Sequence, residues 1–252
     1  MEYKNGKEGK TIFLFDLDGT LTDPAQGITK SVRYALRSYG IEVDNLEELY
    51  PFIGPPLGDS FQEYYHFSPE RAREAIIRYR EYFAVRGLFE NEVYPGIPEL
   101  LEALRSRGAV LAVATSKPEL FAEQILEHFG LRKYFHCVAG ADMEEKRVKK
   151  ADVIRYCFEK MGLAPECRGR CLMIGDRMHD VLGAAEAGID CAGAGYGYAE
   201  AGELEKAGAV FVAENVGQLS EYLLAELETG NNGSTEKGQE KERSSGYGIS
   251  SD

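Results

Sequence analysis

The sequence predicts an α/β fold, a doubly wound Rossmann-like parallel sheet with an inserted α-helical cap. Three observations carry this reading: six short apolar runs, amphipathic helical patterns between them, and one stretch near the N-terminus where the alternation stops. The runs are 11–15 (TIFLF), 109–114 (AVLAVA), 136–140 (HCVAG), 170–174 (RCLMI), 190–195 (DCAGAG) and 209–213 (AVFVA). Several are apolar throughout, as strands buried on both faces of a parallel sheet must be.

The first run leads directly into the break. Between Asp23 and Glu90 two apolar stripes recur at helical spacing, first Ile28, Val32, Ala35, Leu36 and Tyr39, then Ala72, Ile76, Tyr79 and Phe83. An insertion at that point lies at the carboxyl edge of the sheet, where α/β proteins bind ligands, so it is expected to act as a lid. The plainer alternative is two extra helices on one flank. Helices then follow at Ile97 to Arg107, Pro118 to Phe129 and Val148 to Met161. The second has a start signal, with Ser116 and Glu119 at capping-box spacing and Pro118 in the first turn. From about Gly230 the chain is Gly, Ser and charge, too polar to offset the entropy of ordering. The expected division is a core of 11–22 and 91–228, a cap of 23–90 and a disordered tail of 229–252.

Charge and cysteines narrow the class of partner. Of 252 residues, 42 are Asp or Glu and 29 Lys or Arg, giving −13. Nucleic acids and anionic membranes need concentrated positive charge, so neither is expected as a partner. A phosphate-bearing substrate would need a cation or a local nest of donors. Five cysteines without CxxC spacing read as free thiols in a reducing compartment. MEYKNGKEGK lacks a signal-like apolar region, and no apolar run approaches the ~20 residues of a membrane span. A cytoplasmic location is expected; oligomeric state is left open.

The chemistry gathers at strand ends. After the first run comes Asp16-Leu17-Asp18-Gly19-Thr20; residues two apart in a strand share a face, so the two carboxylates would project together. Neighbouring anions need a cation or a raised pKa, and an all-oxygen donor set suits Mg²⁺. DxDG would also satisfy a surface Asx turn. An EF-hand loop fails, since its Gly and Glu positions hold Leu21 and Gly27. Asp176 and Asp180 follow the fourth run, either as a second acid pair or as helix-capping acids. Thr115 and Ser116 end the second run where phosphate oxygens could bind; Thr115 is the stronger ligand candidate and Ser116 also reads as a cap. Lys149 and Lys150 open a helix whose dipole opposes them, which is understandable if one faces an anion.

FDLDGTLTD, VATSKP, Lys150 in RVKKADVI and MIGDRMHD, in that order, resemble the four motifs of the haloacid dehalogenase-like phosphohydrolases, with the insertion placed like a C1-type cap. The resemblance covers residues 11–228. It implies that Asp16 is the nucleophile and forms an aspartyl-phosphate, and that Asp18 is the general acid/base. By the same implication Thr115 and Lys150 hold the phosphoryl oxygens, with Lys150 preferred over Lys149. Mg²⁺ would be bound by Asp16, the Asp18 carbonyl and Asp176, with Asp180 close by or acting through water. True dehalogenases lack an acid at the position of Asp18. Lys30 is the lone cap lysine, which disfavours a phosphonatase.

FIGPPLGDSF, ATSKPELFAEQIL, MIGDRMHDVLGA and GYGYAEAGELEKAGA look like the bacterial 5′-nucleotidase-like branch, close to phosphoglycolate phosphatases. In that branch the cap sets specificity, so Phe52, Ile53, Gly54, Pro55 and Pro56 are expected to form a loop facing the substrate, with Gly54, Pro55 and Ser116 as the substrate-binding candidates. Met143-Glu144-Glu145-Lys146 departs from the Leu-Asp-Gly common there. The expected function is Mg²⁺-dependent hydrolysis of a small phosphomonoester, foremost a nucleoside 5′-monophosphate, with phosphoglycolate as the alternative. A phosphosugar mutase and a non-catalytic phospho-accepting signalling domain are weaker rivals.

Overall fold

The computed structural model describes residues 9–143 and 146–244, with side chains to Gly230. β1 (Ile12–Phe15) leads through a short β2 (Thr22–Asp23) into α1 (Ala25–Arg37), a 3-10 segment at Leu46–Phe52, α2 (Leu57–Tyr65) and α3 (Pro69–Tyr82). A π-helical turn, Phe83–Gly87, ends α3; β3 (Glu92–Val93) then pairs antiparallel with β2 and returns the chain to the sheet. There follow α4 (Ile97–Ser106), β4 (Val110–Pro118), α5 (Glu119–His128), β5 (Cys137–Ala141), α6 (Lys150–Met161), β6 (Cys171–Gly175) and α7 (Met178–Ala187). The chain finishes with β7 (Asp190–Ala194), α8 (Glu203–Ala207), β8 (Phe211–Ala213) and α9 (Val216–Ser244).

Six strands form one parallel sheet in the order β5-β4-β1-β6-β7-β8. All six apolar runs are therefore strands, and the fold is the expected α/β class. Phe15 lies level with Val113 on one side and Ile174 on the other. Successive side chains alternate faces. Phe13 and Phe15 pack with Leu111, Val113, Leu172 and Ile174 against α4, α5 and α9, while Ile12, Leu14, Ala112 and Met173 pack against α6 and α7. Each fully buried Phe of β1 contributes about 1.5–3 kcal/mol relative to exposure. The strand order reverses across β1, so a crevice opens beyond the carboxyl ends of β1, β4 and β6.

The two cap stripes are the buried faces of α1 and α3. Two further cap elements have no periodic signature. The 3-10 segment and α2 contain or border Pro51, Pro55 and Pro56, and they are held by an aromatic cluster in which Phe61 stacks on Phe67 and meets Phe52 edge-on.

One local expectation is corrected. α5 begins at Glu119 with Pro118 before it and no side-chain cap, so Ser116 is not a helix cap. Pairing with β5 sets Pro118 beside Ala141 and keeps 115–118 extended. The Glu119 carboxylate instead accepts from Gly140 N–H at 3.2 Å and Lys160 Nζ at 2.9 Å.

At the C-terminus, Leu219, Leu223 and Leu227 anchor α9, whose backbone continues as helix to Ser244, into the segment whose composition reads as loose. Residues 245–252 of that segment lie outside the described residues, as do Glu144 and Glu145 of the departing motif. All five cysteines are free. Among the described residues no helix is long and apolar enough to cross a membrane.

Candidate active site

The site is built where β1 and β6 end. Asp16 N–H donates to Ile174 O at 2.8 Å, which fixes Asp16 one step beyond the sheet, and its Oδ1 accepts from Leu17 N–H at 2.8 Å. Leu17 returns to the core. The chain then turns tightly, with Gly19 at φ +77° donating to Thr22 O at 2.7 Å. A Cβ at Gly19 would lie 2.0 Å from Asp176 Oδ2, so the position requires glycine for space as well as conformation.

From β6, Asp176 Oδ2 accepts from Tyr198 N–H at 2.9 Å. Asp180 sits in the first turn of α7 and its Oδ2 accepts from Arg177 N–H at 3.1 Å. Asp16, Asp176 and Asp180 are buried, and each offers an oxygen within 4.8 Å of the others. Lys150 Nζ, at the start of α6, lies 2.9 Å from Asp16 Oδ2, 2.8 Å from Asp180 Oδ1 and 3.1 Å from Ala114 O. Lys149 points outward and is exposed. Of the two adjacent lysines, Lys150 is the one in the site.

Lys150 pairs with two of the three carboxylates and leaves Asp176 without such a partner, and the titration behaviour follows. Burial, then Asp180 and Asp16, push Asp176 well above the usual carboxylate range. Burial and Asp16 push Asp180 up to about 6 despite Lys150. Burial opposes the charge on Lys150, yet Asp16 and Asp180 hold its pKa above the ordinary lysine value. Asp176 Oδ1 is buried with no hydrogen-bond partner among the described residues. An excess of negative charge, an all-oxygen donor set and an orphaned oxygen fit a hard divalent cation.

Asp18 stands apart from that trio. Its carboxylate pairs with Lys117 Nζ, which also lies 4.8 Å from the centre of the Phe83 ring. The Asp16 and Asp18 carboxylates do not project together as two residues of one strand would: β1 ends at Phe15, and after the turn that Gly19 closes they pair with different lysines. Burial raises the Asp18 pKa, with Lys117 working against it.

Thr115 is buried in the C-terminal half of β4, its Oγ1 accepting from Lys117 N–H at 3.2 Å. A cavity of about 80 Å³ is lined from the core by Asp18, Ser116 and Lys117 and from the cap by Gly54, Pro55, Tyr79 and Phe83. The predicted substrate-facing residues Ser116, Gly54 and Pro55 are thus in one place. Lys117, inside VATSKP, carries no spacing signal of its own; an acid at Asp18 without a sequence-assigned counter-charge is the one hint that a lysine serves there. Tyr198 carries no signal either, because it serves the site through its backbone.

The haloacid dehalogenase-like hydrolase family matches residues 13–194. A 5′-nucleotidase of Pseudomonas aeruginosa is 52% identical over 191 residues, 76% of this chain and 85% of that protein. A tyrosine-protein kinase, PtkA, of Mycobacterium tuberculosis is 40% identical over 86% of this chain and 73% of its own length. Phosphoglycolate phosphatase 1 of Pseudomonas aeruginosa is 29% identical over 82% of this chain and 78% of that protein. A crystal structure described as a predicted phosphatase from Clostridium acetobutylicum superposes with a TM-score of 0.83 at 46% identity, covering 86% of this chain and 99% of that one. With its six-stranded sheet, buried acid trio and paired lysines, the chain belongs to the haloacid dehalogenase-like hydrolases, as one of their phosphatases.

Proposed function

We propose that the protein is a Mg²⁺-dependent phosphomonoester hydrolase that works through an aspartyl-phosphate on Asp16, with a nucleoside 5′-monophosphate as substrate. The observation that carries this reading is the Asp16 carboxylate, buried between Lys150 and two further acids at the mouth of the sheet. Asp16, Asp176 and the Asp18 carbonyl would hold Mg²⁺, with Asp180 close by or acting through water, and the ion would supply charge neutralisation for a dianionic substrate.

An Asp16 oxygen attacks phosphorus, and the ester P–O bond breaks as Asp18 gives its proton to the leaving alkoxide. Its burial-raised pKa favours the protonated form needed for that step. Asp18, now ionised, takes a proton from water; the water oxygen attacks phosphorus, the bond to Asp16 breaks, and inorganic phosphate leaves. Lys150 balances the charge gathered on Asp16 and Asp180. Thr115 and Ser116 hold phosphoryl oxygens, and the cavity walls from the cap meet the leaving group.

The 5′-nucleotidase relative supports the nucleotide assignment, and the phosphoglycolate phosphatase relative marks the alternative. Phosphate release should be measured on nucleoside 5′-monophosphates, phosphoglycolate and sugar phosphates, with Mg²⁺ and with EDTA. The expected result is fastest release from nucleotides, abolished by EDTA and restored by excess Mg²⁺. Preference for phosphoglycolate would transfer the assignment to the alternative. Turnover that EDTA leaves untouched would contradict the metal, and isomerised sugar phosphate without release would mean a mutase.

A further inference from the structure

Arg177 lies between two residues of the acid trio, yet its side chain leaves them. Its Nε donates to Glu203 Oε1 at 3.0 Å and its Nη1 reaches across to the cap, donating to Ile53 O at 3.0 Å. The acceptor belongs to the loop 52–56, which contributes Phe52, Gly54, Pro55 and Pro56 to the substrate cavity.

Three features make this a built contact. Glu203 is a fixed post: besides Arg177 it accepts from Met178 N–H at 2.7 Å and Glu200 N–H at 3.0 Å, and its side chain is nearly buried. Gly54 has φ +100°, and a Cβ there would sit 3.1 Å from Arg177 Cγ, so the loop passes tightly over the aliphatic stem of the arginine. The Arg177 main chain, meanwhile, donates to Asp180. One residue thus spans the acid cluster and the loop that meets the leaving group.

We infer that Arg177 is a positioning residue, a latch that holds loop 52–56 closed over bound substrate, with Glu203 as its anchor. The inference rests on the phosphatase reading only for its kinetic consequence; the latch itself is a property of the fold. Because the contact is to a cap carbonyl and not to the reacting atoms, its loss should weaken substrate binding more than chemistry. The metal set should also persist, since Asp180 accepts from the backbone of residue 177 whatever its side chain.

The test pairs amide hydrogen exchange of the unliganded protein with steady-state kinetics for Arg177→Met, which keeps the stem, and Glu203→Gln, which keeps the shape of the anchor. For Arg177→Met the expected result is faster exchange confined to residues 52–57 and a KM raised about tenfold, the effect of one charge-assisted hydrogen bond. The kcat should change less than about threefold, with half-maximal activation at an unchanged Mg²⁺ concentration. Glu203→Gln should shift the same segment by less. Unchanged exchange at 52–57, exchange raised evenly through the sheet in both variants, or a loss confined to kcat would overturn the latch. Exchange is read without turnover, so a protein that hydrolysed no phosphomonoester would sink the phosphatase reading and leave the latch to be decided by exchange alone.

Discussion

Lys150 is the cation in contact, among the described residues, with two carboxylates of the buried trio, Asp16 and Asp180, and the cluster carries an excess of negative charge around it. Replacing it by Met removes the counter-charge and leaves the acids uncompensated, a change that costs about 3–5 kcal/mol for a buried pair. Urea unfolding of metal-free Lys150→Met should show a loss of that order, and Mg²⁺ should restore part of it by supplying charge at the same place. A second lysine has a separate task. Lys117 opposes the burial that raises the Asp18 pKa, so Lys117→Met should leave Asp18 protonated when it must act as base. The expected loss in kcat is about tenfold to a hundredfold, the range for a hydrogen bond to a charged group. At this level the sequence shows which residues bear chemistry but not their partners. Asp16, Asp176, Asp180 and Lys150 meet because four elements converge; the divergence of Asp18 depends on a turn whose direction no spacing rule reports.

The strands were readable because each is an apolar run short enough to cross a sheet, and the register that places Phe15 beside Val113 and Ile174 then puts the acids at one edge. α1 and α3 were readable for the same kind of reason, each burying one stripe. Elements fixed by tertiary contact were not. α2 is held by clustered aromatic rings at irregular spacing, and 115–118 obeys pairing with β5 over the capping signal at Ser116. α2 also ends on His66, exposed and at φ +52°, a conformation that favours glycine. His66→Gly should therefore stabilise the cap by about 0.5–1 kcal/mol and raise the melting temperature by ~2 °C, measurable by calorimetry. A fall in melting temperature would show that the His66 side chain contributes more than its backbone strain removes.

The acidity of the whole chain, −13, disfavours a free anionic substrate until a cation is bound. This makes stability, metal binding and pH one linked problem. Asp176 and Asp180 have folded pKa values above the ordinary carboxylate value, Asp180 at about 6. The contribution of Asp180 to stability is thus fully present below the unfolded pKa and is lost as pH rises through about 6, and the contribution of Asp176 has the same sign. A divalent cation competes with those protons, so the rise in melting temperature given by saturating Mg²⁺ should be larger at pH 7.5 than at pH 5. Equal rises at both pH values would mean that the cation binds elsewhere.

Everything in the mechanism passes through the Asp16 oxygen, and Asp16→Asn keeps its size while removing its nucleophilic charge. Phosphate release from p-nitrophenyl phosphate by this variant, at saturating Mg²⁺ and with its melting temperature measured alongside, is predicted to fall by more than about 10³-fold while the protein stays folded. A folded variant that retained wild-type turnover would contradict the account.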